Sequence, residues 1–121
     1  MSASELERAL GSAEELVLET RGRRSGGRHH VTLWFAYEDG AVWLRADVDA
    51  DWHRNLRTDP RCRVSVGDAG SDAVREDVAD EPAALRHVVA LWRAKYGNEW
   101  VGDWYVERGR VPVRVRILPP D

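Results

Sequence analysis

Hydrophobic positions recur with two different periods along this chain, and the switches between them divide it into short elements. Near the start, Leu6, Ala9 and Leu10 form a helical stripe, with Ser2 and Glu5 spaced as a capping box and Gly11 as its stop. Leu16 to Thr20 reads as a first strand. Arg28 to Glu38 reads as one longer strand. Val31, Leu33, Phe35 and Tyr37 share one face, and Thr32, Trp34 and Ala36 the other. Asp39-Gly40 marks a tight hairpin turn. Beyond it, in Ala41 to Ala46, Val42 and Leu44 alternate against Trp43 and Arg45. Asp51 is placed to cap a short helix that runs to about Thr58 and stops at Asp59-Pro60.

In the second half, Cys62, Val64 and Val66 alternate with Arg63 and Ser65, a further strand. Gly67 to Gly70 reads as a turn, and Asp72 to Ala79 as the next strand, on poorer alternation. Glu81-Pro82 opens the helix with the clearest period. Leu85, Val88, Val89, Trp92 and Tyr96 fall on one face, and Gly97 ends it. Val111, Val113, Val115 and Ile117 alternate against Pro112, Arg114 and Arg116 in a closing strand. With no repeat, linker or low-complexity segment, the 121 residues read as a single domain. Short, hairpin-linked strands with few helices predict a mainly-β (α+β) antiparallel fold. Closure into a barrel is favoured because it hides the sheet edges.

Composition narrows the class. Apolar residues make up 43% and charged residues 32%, as in a soluble globular chain. The single Cys62 excludes an internal disulfide and a cysteine-based zinc site, and its apolar setting reads as an inert core thiol. No apolar run approaches the roughly 18 residues of a membrane span, and Met1 to Leu10 has no signal-peptide core, so a cytoplasmic location is expected. A net charge of -3 argues against a general nucleic-acid binder. Its distribution says more: Arg21 to Arg28 holds four arginines and no acid, whereas acids dominate from Asp68 to Glu81. A basic spot on an acidic protein suits a small anionic ligand better than a long polyanion.

Three features are candidates for chemistry. In the turn Thr20 to Arg28, Gly22, Ser25, Gly26 and Gly27 allow backbone amides to converge, and arginine forks match phosphate or carboxylate oxygens. On the residues alone, a solvated basic hairpin tip explains it equally well. In Asp51 to Arg57, helical spacing puts Trp52, Asn55 and Leu56 on one side, with His53, Arg54 and Arg57 outside or at the edges. Trp52 and Leu56 read as core anchors; Asn55 between them either caps a strand end or touches a ligand. Third, among six tryptophans, Trp100 and Trp104 with Tyr105 lie in an aperiodic segment, as a pocket lining for a flat molecule or as a satellite cluster under a loop. His29 and His30 are adjacent and point opposite ways on a strand, and His53 and His87 lack ligand spacing, so no metal site is expected. No nucleophile elbow, Walker loop or dinucleotide fingerprint is present.

Taken in order, Leu18 to Gly26, Val31 to Phe35, Asp39-Gly40, Trp52 to Leu56 and Asp59-Pro60-Arg61 resemble the flavin/deazaflavin oxidoreductase superfamily. The spacing is similar to its deazaflavin-dependent nitroreductase group, and the likeness covers about Leu16 to Val66. The resemblance implies a split β-barrel, shared with pyridoxamine-phosphate oxidases, and a homodimer with the site near its interface. It implies coenzyme F-420, with FMN as the alternative. The phosphate-bearing tail falls to Arg23, Arg24, Ser25, Gly26 and Arg28. Thr32 and Trp34 run beside the cofactor, and Trp52, Asn55 and Leu56 support it. The implied activity is hydride transfer to a small planar acceptor such as a quinone, nitroaromatic or enone. Trp100, Trp104 and Tyr105 are candidates for the acceptor pocket, and Tyr105 is the nearest candidate for a proton donor. The rival readings are an FMN-binding reductase or oxidase and a non-catalytic ligand-binding or interaction barrel. One departure stands out: Ala46 to Asp51 is short and acidic, and Asp47, Asp49 and Asp51 would repel a nearby phosphate.

Overall fold

The computed structural model describes residues 3–99, 101 and 109–119. In chain order the elements are α1 (Ala3–Ser12), β1 (Glu15–Arg21), β2 (Arg28–Trp34), β3 (Ala36–Glu38), β4 (Ala41–Asp47), α2 (Asp51–Thr58), β5 (Arg61–Val66), β6 (Ala69–Glu76), α3 (Glu81–Tyr96) and β7 (Arg110–Ile117). All strand pairings are antiparallel, and the seven-stranded sheet has the order β2-β1-β5-β6-β7-β4-β3. The two edge strands, β2 and β3, are separated in sequence by Phe35 alone. A sheet whose opposite edges are joined by one residue has to curl, but β2 and β3 do not pair with each other, so the barrel is split and the expected full closure of the edges is not reached.

The single strand expected over Arg28 to Glu38 is therefore two strands. Phe35 and Ala36 are consecutive and both buried, which strict alternation on one sheet forbids. At the corner the chain leaves β1 and joins β4, so Phe35 enters the barrel interior while Ala36 packs beneath α3. The corner residue lacks ladder partners, and its backbone groups need others. The Tyr96 hydroxyl accepts the Phe35 N–H at 3.0 Å and donates to the Glu14 carbonyl at 2.5 Å. The Lys95 ammonium donates to the Phe35 carbonyl at 3.0 Å and sits 3.4 Å from the Phe35 ring centroid. Burial brings the Lys95 pKa down to about 8 and pushes the Tyr96 hydroxyl up to about 12.

Two cores result. The barrel interior holds Leu16, Leu18, Val42, Leu44, Val64, Val113 and Val115, joined by Leu6 and Leu10 of α1 and Leu56 of α2. The outer face of β3 and β4 is covered by the α3 stripe, where Val88, Val89 and Trp92 meet Ala36, Trp34 and Trp43. Several boundaries differ from the pattern. Helix α1 continues through Gly11 to Ser12, and its Ser2 cap lies outside the described residues. The β5–β6 turn is tighter: Ala69 and Gly70 already pair with Val66 and Ser65, so β6 starts earlier and ends at Glu76. Asp51 is not the cap of α2. Ala50 holds that position without a side-chain bond, and Asp51 lies in the first turn.

Candidate functional site

The β1–β2 ladder runs to the pair Arg21 and Arg28, so Gly22 to Gly27 must reverse the chain. Two backbone bonds close the loop, from the Gly22 N–H to the Gly27 carbonyl at 2.7 Å and from the Gly26 N–H to the Gly22 carbonyl at 2.9 Å. The Ser25 hydroxyl oxygen accepts the Gly27 N–H at 3.1 Å. Gly26 has φ of 72°, a left-handed conformation that a side chain would strain. Gly22 is buried under the His29 ring, where a Cβ would collide with it.

The turn is latched to α2. Asn55 Oδ1 accepts both the Arg23 backbone N–H at 3.2 Å and its guanidinium Nη1 at 2.9 Å, and Arg23 Nη2 reaches Asp51 Oδ1 at 3.2 Å. Asn55 Nδ2 in turn donates to the Thr20 hydroxyl at 3.2 Å. Among the described residues the buried polar side chains are Thr20, His53 and Asn55, and two of these form the latch. Buried polar groups are tolerated when their hydrogen bonds are made, and here the bonds join the end of β1, the arginine turn and the short helix. Arg23 thus acts as a strut. Arg24 and Arg28 are exposed, and among the described residues neither has a carboxylate partner.

A cleft of about 680 Å³ is lined by the turn from Arg21 to Gly26 with Thr58, Asp59 and Arg61, and three smaller ones open beside it. One of about 200 Å³ lies between the turn and α2, lined by Arg23, Arg24, Ser25, His29, Asp51 and Asn55 together with Gly22. A second of about 200 Å³ adjoins it, where His29, His30 and Val31 face Trp52. The third, of about 380 Å³, carries Arg21, Arg28, Arg61 and Arg63 beside Glu19, Asp59 and Asp72. Asp59 is gripped by Arg61 through two bonds of 3.1 and 3.0 Å, which hold its carboxyl below the ordinary range. Cys62 borders the same cleft, and burial pushes its thiol up to about 12, so it stays a neutral thiol at physiological pH.

The sequence-derived residues therefore divide. Arg23, Arg24, Ser25 and Gly26 share the turn, with Asn55 beneath it and Trp52 beside it. Arg28 opens onto the cleft of about 380 Å³. Thr32 is exposed in β2, and Leu56 is fully buried in the barrel core. Trp34 lies at the far end of β2 from Arg28, stacked on Tyr96 at 4.1 Å within the α3 cluster. Trp100, Trp104 and Tyr105 lie outside the described residues. His53, expected at the edge of α2, is buried at 4% exposure. Three residues before the core residue Leu56, it shares that residue's helix face, and burial lowers its pKa, helped by Arg75 and Arg57 and opposed by Glu81. The acidic loop is partly neutralised: Asp47 bonds Arg110 at 2.6 Å and Asp51 bonds Arg23, while Asp49 is exposed. Thr20 and His29, outside the residues that the sequence singles out for the cofactor, also line the clefts beside Asn55. Thr20 is the one polar residue on the inward phase set by Leu16 and Leu18, which marks it in the sequence. Among the described residues, no three His, Cys, Asp or Glu side chains are grouped to hold a metal ion.

Comparison with known proteins bears on the fold and the family. The fold is similar to that of a conserved hypothetical protein from Mycobacterium tuberculosis, 28% identical over 100% of this chain and 82% of that one, with a TM-score of 0.70. It is also similar to an F420 reductase (19% identity, 93% and 92% coverage, TM-score 0.69). A putative pyridoxamine 5'-phosphate oxidase from Listeria innocua aligns at 12% identity, 98% and 93% coverage and a TM-score of 0.71. The last two likenesses carry the fold, a split β-barrel. No curated protein matches the sequence. The model of one family aligns with residues 2–117, nearly the whole chain: the protein belongs to the F420H(2)-dependent quinone reductase family.

Proposed function

We propose that this chain is a one-domain, cytoplasmic, homodimeric reductase that takes hydride from reduced coenzyme F-420 and passes it to a small planar acceptor, a quinone first, with nitroaromatics and enones as further candidates. The observation that carries the cofactor half is the latched turn. Arg23 is spent on Asn55 and Asp51, which fixes the loop, and Arg24 and Arg28 are left with unpaired guanidiniums at the rims of two clefts. That donor set fits a phosphate: cationic, planar forks on a turn of defined shape. Arg24, Arg28, Ser25 and Gly26 would hold the phosphate-bearing tail, and Trp52 with Val31 offers a flat apolar side for the ring.

When bound, the cofactor supplies the hydride chemistry. The chain's own residues orient and select. Asn55 and Thr20 keep the turn at one height above the sheet. The proton donor for the reduced acceptor is proposed to be Tyr105, tested by a Tyr105→Phe variant, whose unchanged turnover would remove it. Trp100 and Trp104 are proposed as pocket walls for the acceptor.

The activity test mixes the protein with reduced F-420 and a panel of quinones, nitroaromatics and enones and follows cofactor oxidation. Turnover with a quinone supports the reading. Binding with no turnover across the panel would favour a non-catalytic ligand-binding barrel, and a flavin spectrum in the purified protein would favour FMN. A monomer mass by light scattering would remove the dimer.

A further inference from the structure

The acidic loop that sets this sequence apart has one carboxylate inside the site. Asp47 is turned onto Arg110, but Asp51 lines both of the clefts of about 200 Å³ that flank Asn55. Its carboxylate is 84% exposed and lies 3.2 Å from Arg23 Nη2. Arg23 is itself only 18% exposed and also donates to Asn55 at 2.9 Å. An anion entering the cleft between the turn and α2 therefore meets Arg24 and the turn on one side and a solvated carboxylate on the other. The guanidinium nearest that carboxylate is shared between it and Asn55 and is turned away from solvent.

From this juxtaposition we propose that Asp51 is a specificity-determining residue, which makes the turn select a phosphodiester over a phosphomonoester. The inference rests on the reading of the turn as an anion site. A monoester carries close to two negative charges at neutral pH, whereas a diester carries one. The arginines attract both. The Asp51 charge, only partly offset by its single contact with Arg23, repels the monoester more, by about two- to five-fold in affinity per unit charge for groups sharing one solvent-exposed cleft. Hydrogen-bond geometry alone discriminates little, since both ligands present phosphoryl oxygens to Arg24 and the backbone. The consequence reaches the cofactor, because F-420 joins its tail through a phosphodiester while FMN ends in a phosphomonoester.

The test uses simple esters, so that it stands apart from the cofactor. The turn amides of the wild type, Asp51→Asn, Asp51→Glu and Asp68→Asn are followed by NMR during titration with phenyl phosphate and with methyl phenyl phosphate. Asp68→Asn makes the same charge change in the turn at the other end of β5. Asp51→Asn is expected to shift the ratio of the two dissociation constants toward the monoester by about two- to five-fold. Asp51→Glu and Asp68→Asn are expected to leave the ratio at the wild-type value. An unchanged ratio in Asp51→Asn, an equal shift in Asp68→Asn, or no response of the turn amides to either ester would overturn the proposal. Should the ratio shift while F-420 itself fails to bind, the cofactor reading falls and the selectivity assignment stands.

Discussion

Removing the Asn55 side chain is the perturbation that bears most directly on the latch. Asn55→Ala deletes the acceptor of two Arg23 bonds, at 3.2 and 2.9 Å, and the donor to Thr20 at 3.2 Å. One of the three involves a guanidinium, and such bonds contribute about 1.5–3 kcal/mol against about 0.5–1.5 for neutral ones. Thr20 is 2% exposed, so water cannot readily replace the lost partner. Partial exposure of the Arg23 side chain and its remaining contact with Asp51 lower the sum. We therefore expect a loss of about 2–4 kcal/mol, a fall in Tm of roughly 6–20 °C for a domain of this length. Urea denaturation gives the stability, and an F-420 titration on the same variant, well below its midpoint, gives the effect on the turn. The latch predicts weaker binding as well as lower stability, because the loop is no longer held. Stability within about 0.5 kcal/mol of wild type, the range of an ordinary surface change, together with unchanged affinity would refute it.

Other consequences follow from the same geometry. Arg24→Ala and Arg28→Ala should each weaken F-420 binding by roughly 3- to 10-fold with little change in Tm, since each removes an exposed charge-assisted donor. Arg23→Ala should lower Tm instead, and the reverse pattern would show that strut and grip are exchanged. Tyr96→Phe removes the acceptor of the Phe35 N–H at the barrel corner, and unfolding should become easier by roughly 1–3 kcal/mol. A neutral result in urea would mean that the corner is satisfied some other way. His53 is buried with its pKa below the ordinary imidazole value, so the unfolded chain takes up a proton first as pH falls through about 6.5. Stability is therefore full above that pH and declines toward the lowered folded value. Urea midpoints at pH 7 and pH 5 should show the decline in wild type and a smaller one in His53→Leu; identical slopes would rule the residue out as its source.

Much of the fold was legible because alternation and turn chemistry are local. Asp39 and Gly40, at φ of 53° and 78°, form the turn that their identities demand, and the α3 stripe from Leu85 to Trp92 is buried as its spacing requires. The break at Phe35 was not legible. Alternation continues in sequence across it, and only the sheet order, with β2 and β3 on opposite edges, shows that the chain changes partners there. Pro112 raises a similar question, as it sits in β7, which has neighbours on both sides. Pairing with β6 stops at Arg114, so the missing N–H interrupts no ladder on that side. In the site, the turn and the Trp52–Leu56 helix were both visible as motifs. Their connection was not, because Arg23 to Asn55 is a long-range contact between two features that each had a local explanation. The inward turn of His53 was hidden for a related reason: an eight-residue helix is too short for its period to assign both flanks.

The central claim is that the latched arginine turn binds the phosphate-bearing tail of F-420. Fluorescence titration of the purified protein with F-420, repeated on the Arg24→Ala/Arg28→Ala double variant, tests it most directly. The account predicts saturable quenching in the wild type with a dissociation constant in the micromolar range or below, and a large loss of affinity in a double variant that remains folded. No quenching at saturating ligand, or equal binding by the double variant, would contradict it.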